Sequence, residues 1–165
     1  RIDETAQMAL RLDAAIAEVP LPNGQRSDAF ARAERAAWEE TGEAYRPALL
    51  ADVPLIPAHT ALLTTTVYHG SNPPGIVDIV PSESPRPAGW TAALVIVDGL
   101  IGQAVDDGIC QRFSHVPGMP ELLLRAVSYR RYVNDLHSAS RSNTRSHIER
   151  VEQHLVSRAS AILER

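Results

Sequence analysis

Residues 90–113 decide what this chain can fold into. Trp90 to Phe113 is its most apolar segment, and a stretch of that character has to be buried by whatever surrounds it. Leu94, Val97, Leu100 or Ile101, Ala104 and Val105 recur at the spacing of a buried helix. Ala93 to Val97, ending at Asp98-Gly99, fits an interior strand as well. Length favours the helix. With a helix here the domain is mainly α with four or five helices and a small inserted β-hairpin; with a strand it becomes α+β. The segment does not span a membrane, because nowhere does the chain approach ~18–20 uninterrupted apolar residues.

The flanking segments carry their own periodicity. Ile2, Ala9, Leu12, Ile16 and Val19 mark an amphipathic first helix, stopped by Pro20 and Pro22 ahead of an Asn23-Gly24 turn. Ser27 or Asp28 caps a second helix whose face runs through Phe30, Ala33, Ala37, Thr41, Ala44 and Ala48, closing near Tyr45 ahead of Pro47. Residues 1–50 thus read as an acidic helical hairpin. Leu62 to Tyr68 is β-branched and aromatic, Ile76 to Val80 is a second short strand, and Gly70 with Pro73-Pro74-Gly75 turns the chain between them. The resulting β-hairpin, residues 60–81, is marginal alone and requires helices or another chain to lie on. After Pro117, Gly118 and Pro120, Leu122, Ala126, Tyr129, Val133 and Leu136 form one helical stripe. A break at Ser138 to Thr144, with Asn143 or Thr144 as cap, leads into a last helix with Ile148, Val151, Leu155, Ala159 and Ile162 inward. Residues 90–165 read as the helical core of a single domain.

Composition narrows the class. A chain of 165 residues can bury a sizeable core, and its single Cys excludes a disulfide scaffold. All 16 basic residues are Arg, which reads as the codon bias of a GC-rich bacterial or phage genome. The charges are segregated: residues 1–111 hold 7 Arg against 15 acids, a formal −8, and residues 112–165 hold 9 Arg against 5 acids, a formal +4. Such a split predicts an acidic face and a basic face. The first residues contain no apolar run like a signal-peptide core, so a soluble intracellular location is the default expectation.

The last helix places His147, Arg150, His154, Arg158 and Arg165 within about 60° of one another around its axis. Glu149, Glu152 and Glu164 lie on its other faces, and Arg130 and Arg131 add guanidinium groups from the preceding helix. Arg forks match phosphate oxygens, so His147, Arg150, His154, Arg158, Arg130 and Arg131 form a candidate anion- or partner-binding row. No metal site is expected. His147 and His154 would hold their rings about 10 Å apart, too far to share an ion, and Asp106-Asp107-Gly108 lacks the further oxygen ligands of a calcium loop. Cys110, in apolar surroundings, reads as an inert buried thiol.

Two short patterns bear on catalysis. Tyr68-His69-Gly70-Ser71, following a strand, resembles the first motif of ADP-ribosyltransferase folds. The resemblance covers four residues and the strand before them, and implies that His69 would hydrogen-bond the nicotinamide ribose of NAD. Those folds continue into further strands and a catalytic Glu, whereas this chain turns helical. Arg followed by four to six residues and then His resembles helical nucleases of the HEPN type. Arg141 with His147 fits it, as do Arg130 and Arg131 with His137; the resemblance implies His as acid or base and Arg as phosphate holder.

No catalytic motif selects itself from these residues. The expected function is therefore a non-catalytic assembly or protein-interaction module without a cofactor. It would self-associate as a homo-oligomer or within a larger assembly, the basic helix of one copy meeting the acidic half of the next. The alternative is a small enzyme on a phosphate-bearing substrate, NAD or RNA, centred on His69 with Ser71, or on His147 with Arg150. Nucleic-acid binding without catalysis is a third reading, distinguished by steep salt dependence.

Overall fold

In the computed structural model, which describes residues 1–16, 28–42, 51–136 and 142–163, the apolar segment opens as a helix over residues 90–101 and not as a strand, and Ala104 and Val105 lie beyond that helix's end. Among the described residues the helices are α1 (Ile2–Ile16), α2 (Asp28–Gly42), α3 (Trp90–Ile101), the short α4 (Ile109–Arg112), α5 (Met119–Leu136) and α6 (Ser142–Leu163). Four two-residue strands lie between α2 and α3: β1 (Leu55–Ile56), β2 (Thr66–Val67), β3 (Gly75–Ile76) and β4 (Arg86–Pro87). The protein is mainly helical with small antiparallel two-stranded sheets. The turn at residues 20–24, Ser27, the expected close of α2 near Tyr45, His137, Arg141 and Arg165 lie outside the described residues.

Helix α3 is the axis of the structure. All of its residues except Asp98 and Ile101 are buried, and α1, α5 and α6 surround it. Its apolar side chains point in every direction because there is protein in every direction, so Ala92, Ala93, Val95 and Ile96 are buried as well as the expected Leu94, Val97 and Leu100. Helix α1 buries Ile2, Thr5, Ala6, Ala9 and Asp13 at helical spacing. The small Ala6 and Ala9, both fully buried, let α1 come close to α3. Gly99 completes that approach: a Cβ there would stand 2.9 Å from Ile2 Cγ2, so even alanine would force Ile2 to move. At the other end Trp90 meets Trp38 of α2 and Tyr129 of α5 edge-on, with ring centroids 4.9 and 5.5 Å apart.

Helix α5 opens with Pro120 in its first turn, where a missing N–H costs nothing, and with Glu121 at the positive end of the helix dipole. Leu122, Ala126 and Tyr129 are buried as the stripe predicts. The stripes run past the core at their ends, however. Leu136 and Ile162, both expected inward, are 55% and 51% exposed. Helix α6 begins at Ser142, so Thr144 is already helical and does not cap it.

The hairpin differs from its predicted form. Most of the expected strand 62–68 is a 3₁₀ turn at Leu63–Thr65, and only Thr66–Val67 pairs, with Gly75–Ile76. Thr65 and Thr66 bend the chain there, each hydroxyl donating to the Leu62 carbonyl, a side-chain alternative to a ladder bond. The arm is also longer than residues 60–81. Leu55 faces Pro87, Ile56 faces Arg86, His59 faces Pro81, Thr66 faces Ile76 and Val67 faces Gly75. These pairs follow one hairpin axis over residues 55–87. Two extra residues bulge from the returning limb below the His59 bridge, and two from the outgoing limb above it. His59, nearly fully buried, stiffens the middle. Its Nδ1 accepts the Ala61 N–H at 3.2 Å, so Nε2 carries the proton and donates to the Asp78 carbonyl at 2.9 Å.

Candidate functional site

The Tyr68–Ser71 motif forms the tip of the arm. Asn72 N–H donates to the His69 carbonyl at 3.0 Å, closing a turn through Gly70 and Ser71. The Tyr68 hydroxyl hydrogen-bonds Thr5. Arg1 clasps the tip, donating to the carbonyls of Gly70 and Asn72 while its guanidinium lies 5.3 Å from the Tyr68 ring centroid. The motif's aromatic and backbone groups thus fasten the arm to α1. His69 and Ser71 are exposed, and neither side chain makes a hydrogen bond among the described residues. Only the two-residue strands β3 and β4 follow the motif before the chain enters α3, and among the described residues no strand follows α3.

The basic row converges on the last turn of α3. His147 donates from Nδ1 to the Ile101 carbonyl at 3.1 Å, and Arg150 donates to the Leu100 carbonyl at 2.9 Å. Arg130 grips both carboxylate oxygens of Asp98 at 2.7 Å and donates to the Thr60 carbonyl at 2.9 Å. One guanidinium thereby joins α5, α3 and the arm. Burial pulls the Arg130 pKa down, but the charge and hydrogen bonds of Asp98 outweigh that and leave it raised. Carbonyls without helical partners and the negative end of the dipole are an intramolecular target for cations. Arg131 pairs with Glu152 at 2.7 Å, and His154 lies 3.6 Å from Asp107. Among the described residues Arg158 reaches only Gln111 Oε1, at 3.4 Å.

The opposite end of α3 has the opposite charge. Asp13, 6% exposed, accepts the N–H of Gly89, the residue that caps α3, at 2.7 Å. Its other oxygen is buried and has no partner among the described residues. Burial raises this carboxyl from 3.8 to about 6, against the lowering effect of the Gly89 bond. Gly89 has φ +94° and a Cβ there would meet Leu122 at 3.1 Å, so the cap position demands glycine on both counts.

The largest concentration of buried charge was not visible in the sequence. Glu34 of α2 and Arg86 of β4 form a two-pronged ion pair at 2.7 and 2.8 Å, with side chains 1% and 2% exposed. Glu34 also accepts the Glu83 N–H at 2.9 Å, and Arg86 donates to Ser84 Oγ at 2.6 Å. The guanidiniums of Arg86 and Arg125 both lie over the Trp38 ring, 4.4 and 3.3 Å from its centroid. Arg125 donates to the Trp38 carbonyl at 2.9 Å, and burial followed by the charge of Arg86 lowers its pKa to about 10. The cluster locks α2, the arm and α5 together around one indole. The signal in the sequence, Glu34, Trp38, Arg86 and Arg125 dispersed over three segments, has no periodicity to find.

A groove of about 180 Å³ opens between α4, the start of α5 and the second half of α6. Cys110 is at its base, buried, with its thiol pushed up by that burial. Among the described residues no group of His, Cys, Asp and Glu could hold a metal ion, and no helix is long and apolar enough to cross a membrane. No family model, curated protein or solved structure matches the chain.

Proposed function

We propose that the chain is a non-catalytic interaction module that associates with further copies of itself through the arm of residues 55–87. The observation that carries this is an outward apolar row: Val67, Val77 and Ile79 are 51%, 67% and 66% exposed. Val67 stands opposite Gly75, and the Val77 N–H continues the ladder to the Thr65 carbonyl, so Val67 and Val77 share one side of the arm, with Ile79 exposed just beyond them. The two-stranded ladder beneath them has outer edges that another strand can extend. A second arm, related by a two-fold axis, offers the same row and the same edge.

The arginines of residues 112–165 contribute less to such contacts than the segregated charges imply. Arg112, Arg130, Arg131 and Arg145 each have an acidic partner at 2.7 Å within the chain. His147 and Arg150 are directed at α3.

Light scattering after size exclusion tests the reading. We expect a mass above 18 kDa that persists at high salt and carries no nucleic acid by its absorbance ratio, since apolar contacts are not screened. Val77→Ser with Ile79→Ser should return it to a monomer with unchanged far-ultraviolet circular dichroism. A wild-type monomer at about 100 μM, a concentration well above the dissociation constants of stable oligomers, overturns the reading. An oligomer that dissolves in salt assigns the contact to the acidic half and the basic helix instead.

A further inference from the structure

We propose that the groove between α4, α5 and α6 binds a small amphiphilic carboxylate, its acid held by Arg158 and its apolar body lying against Met119, Leu123, Leu155 and Ile162. Four observations lead there, and none depends on self-association. The space, about 180 Å³, is that of a ring or a six- to eight-carbon chain, since an apolar cavity of about 150 Å³ accommodates benzene. The walls are predominantly apolar, and among the described residues Arg158 is the one formally charged side chain lining them and no carboxylate does.

Arg158 is also unlike its neighbours. Arg112, Arg131 and Arg145 each hold an acid at 2.7 Å. Among the described residues Arg158 has none, and its one hydrogen bond, to Gln111, is long at 3.4 Å. It is partly buried, so its charge is only partly hydrated, and it acts within the groove: it draws down the pKa of the Cys110 thiol at the base, although burial prevails there. Finally, the polar end is sized for a monoanion. One guanidinium fork matches the two oxygens of a carboxylate, and the other polar side chains at that end, Gln111 and Ser114, are neutral. A phosphate dianion would leave a charge uncompensated.

Octanoate is the probe, followed by methyl NMR on the full chain. Saturable shifts are expected at Met119, Leu123, Leu155 and Ile162, with a dissociation constant of about 1 mM for a ligand of this size. Octan-1-ol, which keeps the chain and loses the charge, should bind about tenfold more weakly, and Arg158→Gln should weaken octanoate by a similar factor. Arg158 is at the surface end of the groove, so the variant is expected to fold, and the alcohol control needs no variant. Equal affinity for octanoate and octanol overturns the proposal, as does unaltered binding to Arg158→Gln or the absence of saturable shifts. Shifts at these methyls that follow protein concentration without octanoate would assign the groove to a second copy, and would equally overturn it.

Discussion

The two sides of α3 use the same residue types to opposite ends. On the α2 side, Glu34, Arg86 and Arg125 are almost wholly buried around Trp38. On the α6 side, Arg150 and Arg131 are exposed and meet one carbonyl or one acid each. An arginine in the first setting has given up its hydration and depends on its partner. In the second it exchanges one hydrated contact for another. Burial, more than the number of contacts, decides what each is worth.

The largest effect expected from this contrast is at Glu34. Glu34→Ala leaves the Arg86 guanidinium buried without its carboxylate, and about 3–5 kcal/mol of unfolding free energy should be lost, measured in urea. A sharper version removes both charges. Glu34→Ala with Arg86→Met should recover most of that loss, because the penalty lies in the stranded charge and not in the absence of the pair. If the double variant is as unstable as the single, the cluster is held by its hydrogen bonds to Ser84 and Glu83 and the comparison between the two sides loses its basis.

Asp13 extends the comparison to a buried carboxyl that faces no cation among the described residues. Its carboxyl titrates at about 6 when folded, against 3.8 ordinarily, so the folded state binds the proton more tightly. Stability contributed by the protonated form is therefore fully present below about pH 4 and is lost as pH rises through about 6, to the extent of about 2–3 kcal/mol. Asp13→Asn keeps an oxygen for the Gly89 N–H and removes the charge. It should stabilise the protein by about 2 kcal/mol at pH 7.5 and flatten the pH dependence of the urea midpoint between 4 and 6. An unchanged slope would show that the positive end of α3 compensates the carboxylate in full.

What the sequence made legible follows from the same physics. Periodicity located α1, α5 and α6 because each has one buried stripe, as Ile148, Val151 and Leu155 illustrate on α6. It left α3 undecided because a helix buried on all sides has no polar face to define a period. The strand expected at 62–68 failed on threonine: its β-branched side chain favours a strand, but at Thr65 and Thr66 the hydroxyls bond backward to Leu62 and wind the chain. His147, Arg150 and Arg130 are a different case. The sequence showed that these cations share a region, but not that the carbonyls of Leu100 and Ile101 and the carboxylate of Asp98 occupy its centre. Glu34 with Arg86 is 52 residues apart along the chain, and pairing at that distance leaves no local pattern.

The smallest effects belong to the open side, and they separate backbone capping from simple ion pairing. Arg150 donates to the Leu100 carbonyl in the last turn of α3, where the negative end of the helix dipole adds to the bond. Arg150→Ala should cost about 0.5–1 kcal/mol, more at low ionic strength than at high, because salt screens the attraction between the guanidinium and the helix dipole. Arg112 makes a well-formed fork to Asp3 at 2.7 and 3.2 Å, yet both side chains are nearly half exposed. Arg112→Ala should leave the urea midpoint unchanged at physiological salt. The better-looking contact is thus expected to matter less: water already serves both of its partners, whereas Arg150 joins the Gln103 N–H on the Leu100 carbonyl at the end of the buried helix α3. If Arg112→Ala proves the more damaging of the two, the joint between α1 and α4 carries stability that burial alone does not account for.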